Sequence, residues 1–173
     1  LAKRYPINRE DDSKKVSYEL TDNLLRFWFT YVYKNKSALQ MLGSEAFYEN
    51  YIASTLTTFI AHRFEEIART YFSIQVKEGK RKGILHIGTY HYDDSEQKTN
   101  GEFDVVLQRQ DGYSVYEVKY LAAPLSEKAM REEVKQIKGI KGIRVRDIGF
   151  ISANNFEKEL PECECIDGQS LYK

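Results

Sequence analysis

Cysteine is scarce in this chain, charge of either sign is not in excess, and no long hydrophobic run exists. Cys163 and Cys165 are the only cysteines. At that spacing they share one face of a strand, form neither a zinc site nor a disulfide framework, and fit a reducing cytoplasm. Lys plus Arg equals Asp plus Glu at 26 each, so no global positive field advertises nucleic-acid binding, and any such attraction must be local. No apolar run approaches the length that spans a bilayer, and no signal peptide is visible. His62, His86 and His91 show no ligand spacing. The chain opens on Leu1 rather than Met and reads as a piece of something longer. What is present is 42% hydrophobic residue over 173 positions, enough for one domain with a sizeable core and a small appendage.

The organising stretch is GEFDVVLQRQDGYSVYEVKYL, residues 101–121. Two runs rich in Val, Tyr, Phe and Leu flank Asp111-Gly112, a dipeptide suited to a tight turn, so the spacing predicts a β-hairpin. Alternate strand residues share a face, which sets Glu117 and Lys119 together. A turn centred on Asp111-Gly112 places Val106 opposite Glu117 and Asp104 opposite Lys119, and opposed residues also share a face. Asp104, Glu117 and Lys119 therefore converge on one side. Phe103, Val105, Leu107, Tyr116, Val118 and Tyr120 form the side packed on a core.

Two carboxylates and a lysine so placed suit a hard cation such as Mg²⁺, which prefers oxygen ligands and retains several waters. The chemistry such a site supports is metal-assisted phosphodiester hydrolysis, with the ammonium stabilising developing negative charge. The competing reading is a two-faced hairpin carrying a nearly neutral cross-strand Asp-Lys pair.

Asp104, followed thirteen positions later by Glu117-Val118-Lys119, resembles the PD-(D/E)XK nuclease signature. In that superfamily the aspartate and glutamate bind metal and the lysine acts on the water or transition state. Phe103 stands where the proline of the signature would be. The phrase YELTDNLLRFWFTYVYKN, then F-E-x-x-A-R, then the G-E-F-D and E-V-K strands resemble the C-terminal domain, long catalogued as of unknown function, of archaeal and bacterial P-loop ATPases. That domain has a PD-(D/E)XK-like core. The resemblance implies that Glu65, directly after Phe64, joins the metal shell from the first helix, and that Glu102 is an outer group. No G-x-x-x-x-G-K-[ST] loop is present, so any ATPase engine lies upstream or on another chain.

Around the hairpin, residues 16–20 read as a short strand and Asp22 as the N-cap of a helix over 23–33. That helix is apolar or aromatic on nearly every side, the pattern of a buried or interface helix. Residues 45–72 read as the longest helix, with Ile52, Leu56, Phe59, Ile60, Phe64, Ile67, Ala68 and Tyr71 along one stripe. Glu65 lies at a margin of that stripe, with Arg69 one turn on as a pairing partner. Lys77, Lys80, Arg81 and Lys82 form the densest basic patch, available to a DNA backbone or to solvent. Residues 84–92 read as the first strand of the sheet and 93–100 as a polar connection. Ser126 caps a helix through about residue 138, and the nuclease resemblance implies that this helix lies along the substrate, with Lys135 or Gln136 as candidate contacts. Residues 144–152 and 163–172 supply the last strands, so the sheet is mixed.

These observations give an α/β fold, a mixed central sheet flanked by helices with an N-terminal helical segment, and the resemblance implies that it is PD-(D/E)XK restriction-endonuclease-like. Residues 1–44 are expected to be the tail of a winged-helix-like module plus an aromatic linker helix, and 45–173 the nuclease-like domain. Asp104, Glu117, the Val118 carbonyl and Glu65 are expected to hold Mg²⁺ or Mn²⁺, with Lys119 beside them. DNA, an upstream ATPase and a second copy of the chain are the expected partners, with no membrane association. The rival is a catalytically silent DNA- or protein-binding or oligomerisation module that regulates the ATPase.

Overall fold

The computed structural model describes residues 1–94 and 99–172. Its centre is a five-stranded sheet built from β3 (His86–Asp94), β4 (Thr99–Arg109), β5 (Gly112–Lys119), β6 (Val145–Ser152) and β7 (Glu164–Asp167), laid side by side in chain order. The pairs β3–β4 and β4–β5 are antiparallel, while β5–β6 and β6–β7 are parallel. The mixed sheet expected from a helix standing between strands is thus present. The polar connection expected at 93–100 is shorter than that: strand pairing runs to Asp94 and resumes at Thr99, and 95–98 lie outside the described residues.

Two helices cover the two faces. Helix α3 (Ala53–Lys77) sets Phe64, Ala68 and Phe72 against Val105, Leu107, Tyr116, Val118 and Ile151. On the other face, α4 (Glu127–Gly139) sets Met130, Val134 and Ile137 against Val106, Val115 and Phe150. Ser126 caps α4, its Oγ accepting from the Ala129 N–H at 3.2 Å. Strands β5 and β6 are buried on both sides, as central parallel strands are. Each large side chain so buried contributes about 2–3 kcal/mol.

The remaining N-terminal elements form a small layer of their own. A two-stranded hairpin of β1 (Ala2–Arg4) and β2 (Ser17–Glu19) leads to α1 (Asn23–Phe27). Asp22 caps α1 by accepting from the Leu25 N–H at 2.9 Å. The helix expected to run over 23–33 changes at Trp28 into a wide π-helical turn. It is not buried all round: Leu24, Leu25, Trp28, Phe29 and Tyr33 are exposed, while Tyr31 and Val32 pack with Phe47 and Ile52.

The long helix expected over 45–72 is two helices, α2 (Lys36–Tyr51) and α3, which starts at Ala53. The chain breaks between them because Ile52 is drawn into the cluster with Tyr31, Val32 and Phe47, so tertiary burial overrides the helical period. Within α2, Gly43 takes φ 75° and ψ 171°, a kink that a side chain would strain. Among the described residues, no helix is long and apolar enough to cross a membrane. Both cysteines are free.

Candidate active site

The hairpin forms with a register two residues removed from that expected. Gln110 and Asp111 make the turn, Arg109 faces Gly112, and the ladder runs through Val106–Val115 to Val105–Tyr116. Gly112 belongs in the strand rather than the turn: its φ is +146°, and a Cβ there would lie 2.5 Å from the Arg144 carbonyl oxygen. A slip of two positions preserves faces because the strand period is two. The offset therefore brings Asp104 level with Glu117 instead of Lys119.

A bulge then re-aims the start of the hairpin. Gly88 pairs with Val106 but Tyr90 pairs with Phe103, so Asp104 and Val105 together oppose Thr89. The extra residue shifts the alternation, and Phe103 packs with Val106 on the α4 face rather than with Val105 on the α3 face as expected. Bulges of this kind turn side chains out of the regular ladder. Here the side chain is Asp104, whose carboxylate accepts from the Val118 backbone N–H at 3.3 Å, beyond the last β4–β5 pair. Arg69 of α3 donates to the Asp104 carbonyl at 2.7 Å, pinning the bulge to the helix. Arg69 was expected to pair with Glu65 and is bonded to the strand instead.

Asp104 stands between two groups of charged residues. Toward α3 lie Glu65, Glu102 and Arg69, which line one cavity with Asp104. Glu65 is approached by the His62 Nδ1 at 3.4 Å. Toward α4 lie Glu117 and Lys119. The Lys119 Nζ is 2.7 Å from Glu117 and 3.0 Å from Glu133 of α4. Glu133 was not anticipated, because its partner lies across the fold and the α4 sequence shows only a polar face. Ser152, directly beside Lys119 in the β5–β6 ladder, is fully buried with no hydrogen-bond partner for its Oγ.

Burial and like charge dominate the electrostatics. Burial, with the Glu65 carboxylate adding to it, raises the Asp104 pKa to about 6 against the pull of the Val118 N–H, Lys119 and Arg69. Burial and the Asp104 carboxylate raise Glu117 to about 7, although Lys119 opposes them. Burial also raises Glu65. Desolvation works to lower Lys119, but Glu117 and Glu133 outweigh it and hold the ammonium charged. The result is a pair of carboxylates short of positive charge, next to a lysine already shared between two acids.

The donor chemistry suits a hard divalent ion: carboxylate and carbonyl oxygens with no competing thiolate. Among the described residues, no group of three or more His, Cys, Asp or Glu side chains is arranged to hold a metal. The donors at hand are thus the Asp104 and Glu117 carboxylates with backbone oxygen.

Other expected contributors are engaged elsewhere. Arg81 of the basic patch donates to the Tyr116 hydroxyl at 3.1 Å, pairs with Glu164 and stacks 4.7 Å over Phe72; Lys80 pairs with Glu78 at 2.8 Å. The patch is therefore partly consumed by the fold, and Arg81 is not presented to a phosphate. Gln136 donates to the Tyr92 hydroxyl at 3.4 Å. Glu66, next to Glu65, accepts both terminal nitrogens of Arg26 at 3.0 Å.

Fold and site together define an α/β protein: a helix-flanked, five-stranded mixed sheet with a carboxylate and lysine cluster where its central hairpin opens. The chain belongs to the DUF234 family, described as archaeal and bacterial proteins of unknown function, whose model matches residues 28–137. That span contains Glu65, Asp104, Glu117, Lys119 and Glu133. No curated protein and no solved structure gives a significant match.

Proposed function

We propose that the chain is a Mg²⁺- or Mn²⁺-dependent nuclease domain that hydrolyses DNA phosphodiester bonds and works as the C-terminal part of a P-loop ATPase. The observation that carries the catalytic reading is the meeting of Asp104, Glu117 and Lys119 beyond the last pair of the β4–β5 ladder. The ATPase assignment rests on the resemblance of the 18–35 phrase and the later strands alone.

Asp104, Glu117 and the Val118 carbonyl would hold the ion, with Glu65 adding negative potential from α3. When bound, the ion supplies Lewis-acid polarisation of a phosphate oxygen and a more acidic water. Lys119 orients the attacking water and offsets the charge that grows on the phosphoryl oxygens. Glu133 of α4 holds the Lys119 ammonium in place. Arg69 keeps the bulge, and with it the Asp104 carboxylate, fixed against α3. The test is nicking of supercoiled plasmid in millimolar Mg²⁺ or Mn²⁺. Nicking lost in Asp104→Ala and Lys119→Ala supports the reading; a metal-independent or absent activity in the parent chain defeats it.

A second reading, a non-cleaving module that binds protein or a further copy of the chain, is favoured by one observation. Leu24, Trp28, Phe29 and Tyr33 expose a run of large apolar side chains, with Leu24 at 76%. Such patches mark interaction surfaces. Sedimentation velocity over a range of concentrations tests it: association abolished by Leu24→Glu with Phe29→Glu supports self-pairing, and a monomer at all concentrations opposes it.

A further inference from the structure

A cavity of about 640 Å³ opens beside Asp104. Its lining has an acidic side and a basic side, and Arg69, the arginine on the acidic side, is turned to the Asp104 carbonyl. Glu65, Glu102 and Asp104 come from α3 and β4, whereas Lys3, Arg4 and Lys15 come from the β1–β2 hairpin and the turn joining its strands. The hairpin side has carboxylates too, but they are engaged: Glu19 pairs with Arg4 and Arg26, and Glu66 with Arg26, Arg63 and Arg4. Lys3 and Lys15 have no carboxylate partner among the described residues; the Lys3 ammonium rests 5.4 Å over the Tyr5 ring.

This wall is fastened to the sheet. The Ile7 N–H donates to the Thr89 carbonyl at 2.8 Å. The Asn8 side chain clasps the His91 backbone twice, donating to its carbonyl at 2.7 Å and accepting from its N–H at 3.1 Å. Ile7 also fills the space over Gly88: a Cβ on that glycine would lie 2.6 Å from the Ile7 Cγ2. Gly88 sits beside the bulge that aims Asp104, so the attachment of the wall and the geometry of the acidic floor meet at one point.

We infer that the β1–β2 hairpin is the phosphate-holding wall of a nucleic-acid cleft, Lys3 and Lys15 receiving backbone phosphates of a strand whose scissile group lies at Asp104, where the cavity ends and the Glu117 and Lys119 cluster begins. The inference rests on the nuclease reading above. Backbone phosphates need only charge within reach, and in a chain of zero net charge that attraction has to be local. A cationic wall facing an anionic floor takes a phosphodiester strand only when a divalent ion covers the floor. Tight binding therefore requires both.

Fluorescence anisotropy of a labelled duplex DNA, titrated with the full chain in Ca²⁺ and again in EDTA, tests this. The parent binds more tightly in Ca²⁺. Lys3→Glu with Lys15→Glu weakens binding about tenfold or more and reduces the slope of log K against log salt by about two, while Lys34→Glu with Lys36→Glu leaves the slope unchanged. Gly88→Val, which alters no charge but displaces Ile7, weakens binding in the same direction; where it fails to fold, the charge variants decide. A parent-like affinity and slope for Lys3→Glu with Lys15→Glu overturns the wall, as does a parent that binds no DNA. Asp104-dependent nicking that persists alongside unchanged DNA binding removes the wall and keeps the nuclease. DNA binding that depends on Lys3 and Lys15 in a chain that never nicks keeps the wall and removes the nuclease.

Discussion

The Asp104 carboxylate accepts the Val118 backbone N–H across a gap where the β4–β5 ladder has already ended. A charged side chain takes over where strand pairing stops, and the next residues on either side of Val118 are Glu117 and Lys119. That arrangement places a carboxylate with a raised pKa at the mouth of the hairpin, and most of the site's behaviour follows from it.

Asp104→Asn is expected to stabilise the apo chain at alkaline pH. The folded pKa, about 6, lies above the ordinary 3.8, so the folded state holds the proton more tightly than the unfolded chain. The penalty for ionisation enters as pH rises from the lower value through the higher and is complete above it. The asparagine oxygen still accepts the Val118 N–H. Thermal melts should show the variant ahead by roughly 2 kcal/mol at pH 8, with the advantage vanishing near pH 4.

Divalent-ion affinity should rise with pH through the range where both acids ionise. Protons compete with the ion at Asp104 and Glu117, whose pKa values are about 6 and about 7. Mn²⁺ titrations followed by electron paramagnetic resonance should give weak binding below the lower value and a plateau above the higher one. A profile flat across that interval would mean that these carboxylates are not the ligands.

Neighbouring glutamates should separate by role. Arg26 is 8% exposed and held by both oxygens of Glu66. Glu66→Ala leaves the buried guanidinium only Glu19 and the Leu20 carbonyl and should lower stability by about 2–4 kcal/mol. Glu65→Gln should change stability by less than about 1 kcal/mol, because the side chain that approaches it is an exposed histidine, while weakening Mn²⁺ binding. Chemical denaturation paired with metal titration distinguishes the two.

Gly149→Ala tests the packing of the α3 face. A Cβ there would lie 2.4 Å from the Tyr116 ring, and Tyr116 donates to Glu164 at 2.5 Å. Because the ring is packed against Phe72, it has nowhere to retreat without losing that bond. Urea midpoints should report a loss of about 1–3 kcal/mol.

What the sequence revealed follows from period and end signals. The stripe at Met130, Val134 and Ile137, the caps at Asp22 and Ser126, and the alternation in β5 and in β4 from Val105 onward are local patterns, and the structure contains each of them. The two-residue slip leaves β5 and the paired part of β4 on their expected faces, whereas Asp104 reaches Val118 through a bulge that also moves Phe103 to the α4 face. What escaped detection depends on tertiary context. The bulge at Asp104–Val105 needs Thr89 on the neighbouring strand, the break at Ile52 needs the aromatic cluster that buries it, and Glu133 reaches Lys119 only once α4 lies on the sheet. The pairing of Arg26 with Glu66 spans 40 positions, and no local pattern marks either residue.

The central claim is tested most directly by Lys119→Met measured in two assays on one preparation. Lys119 should not be a ligand, so Mn²⁺ affinity should remain within a few-fold of the parent, while plasmid nicking at saturating metal should fall about 100-fold or more. Nicking at the parent rate with Lys119 replaced would contradict the account, as would a parent chain that takes up Mn²⁺ and leaves supercoiled plasmid intact.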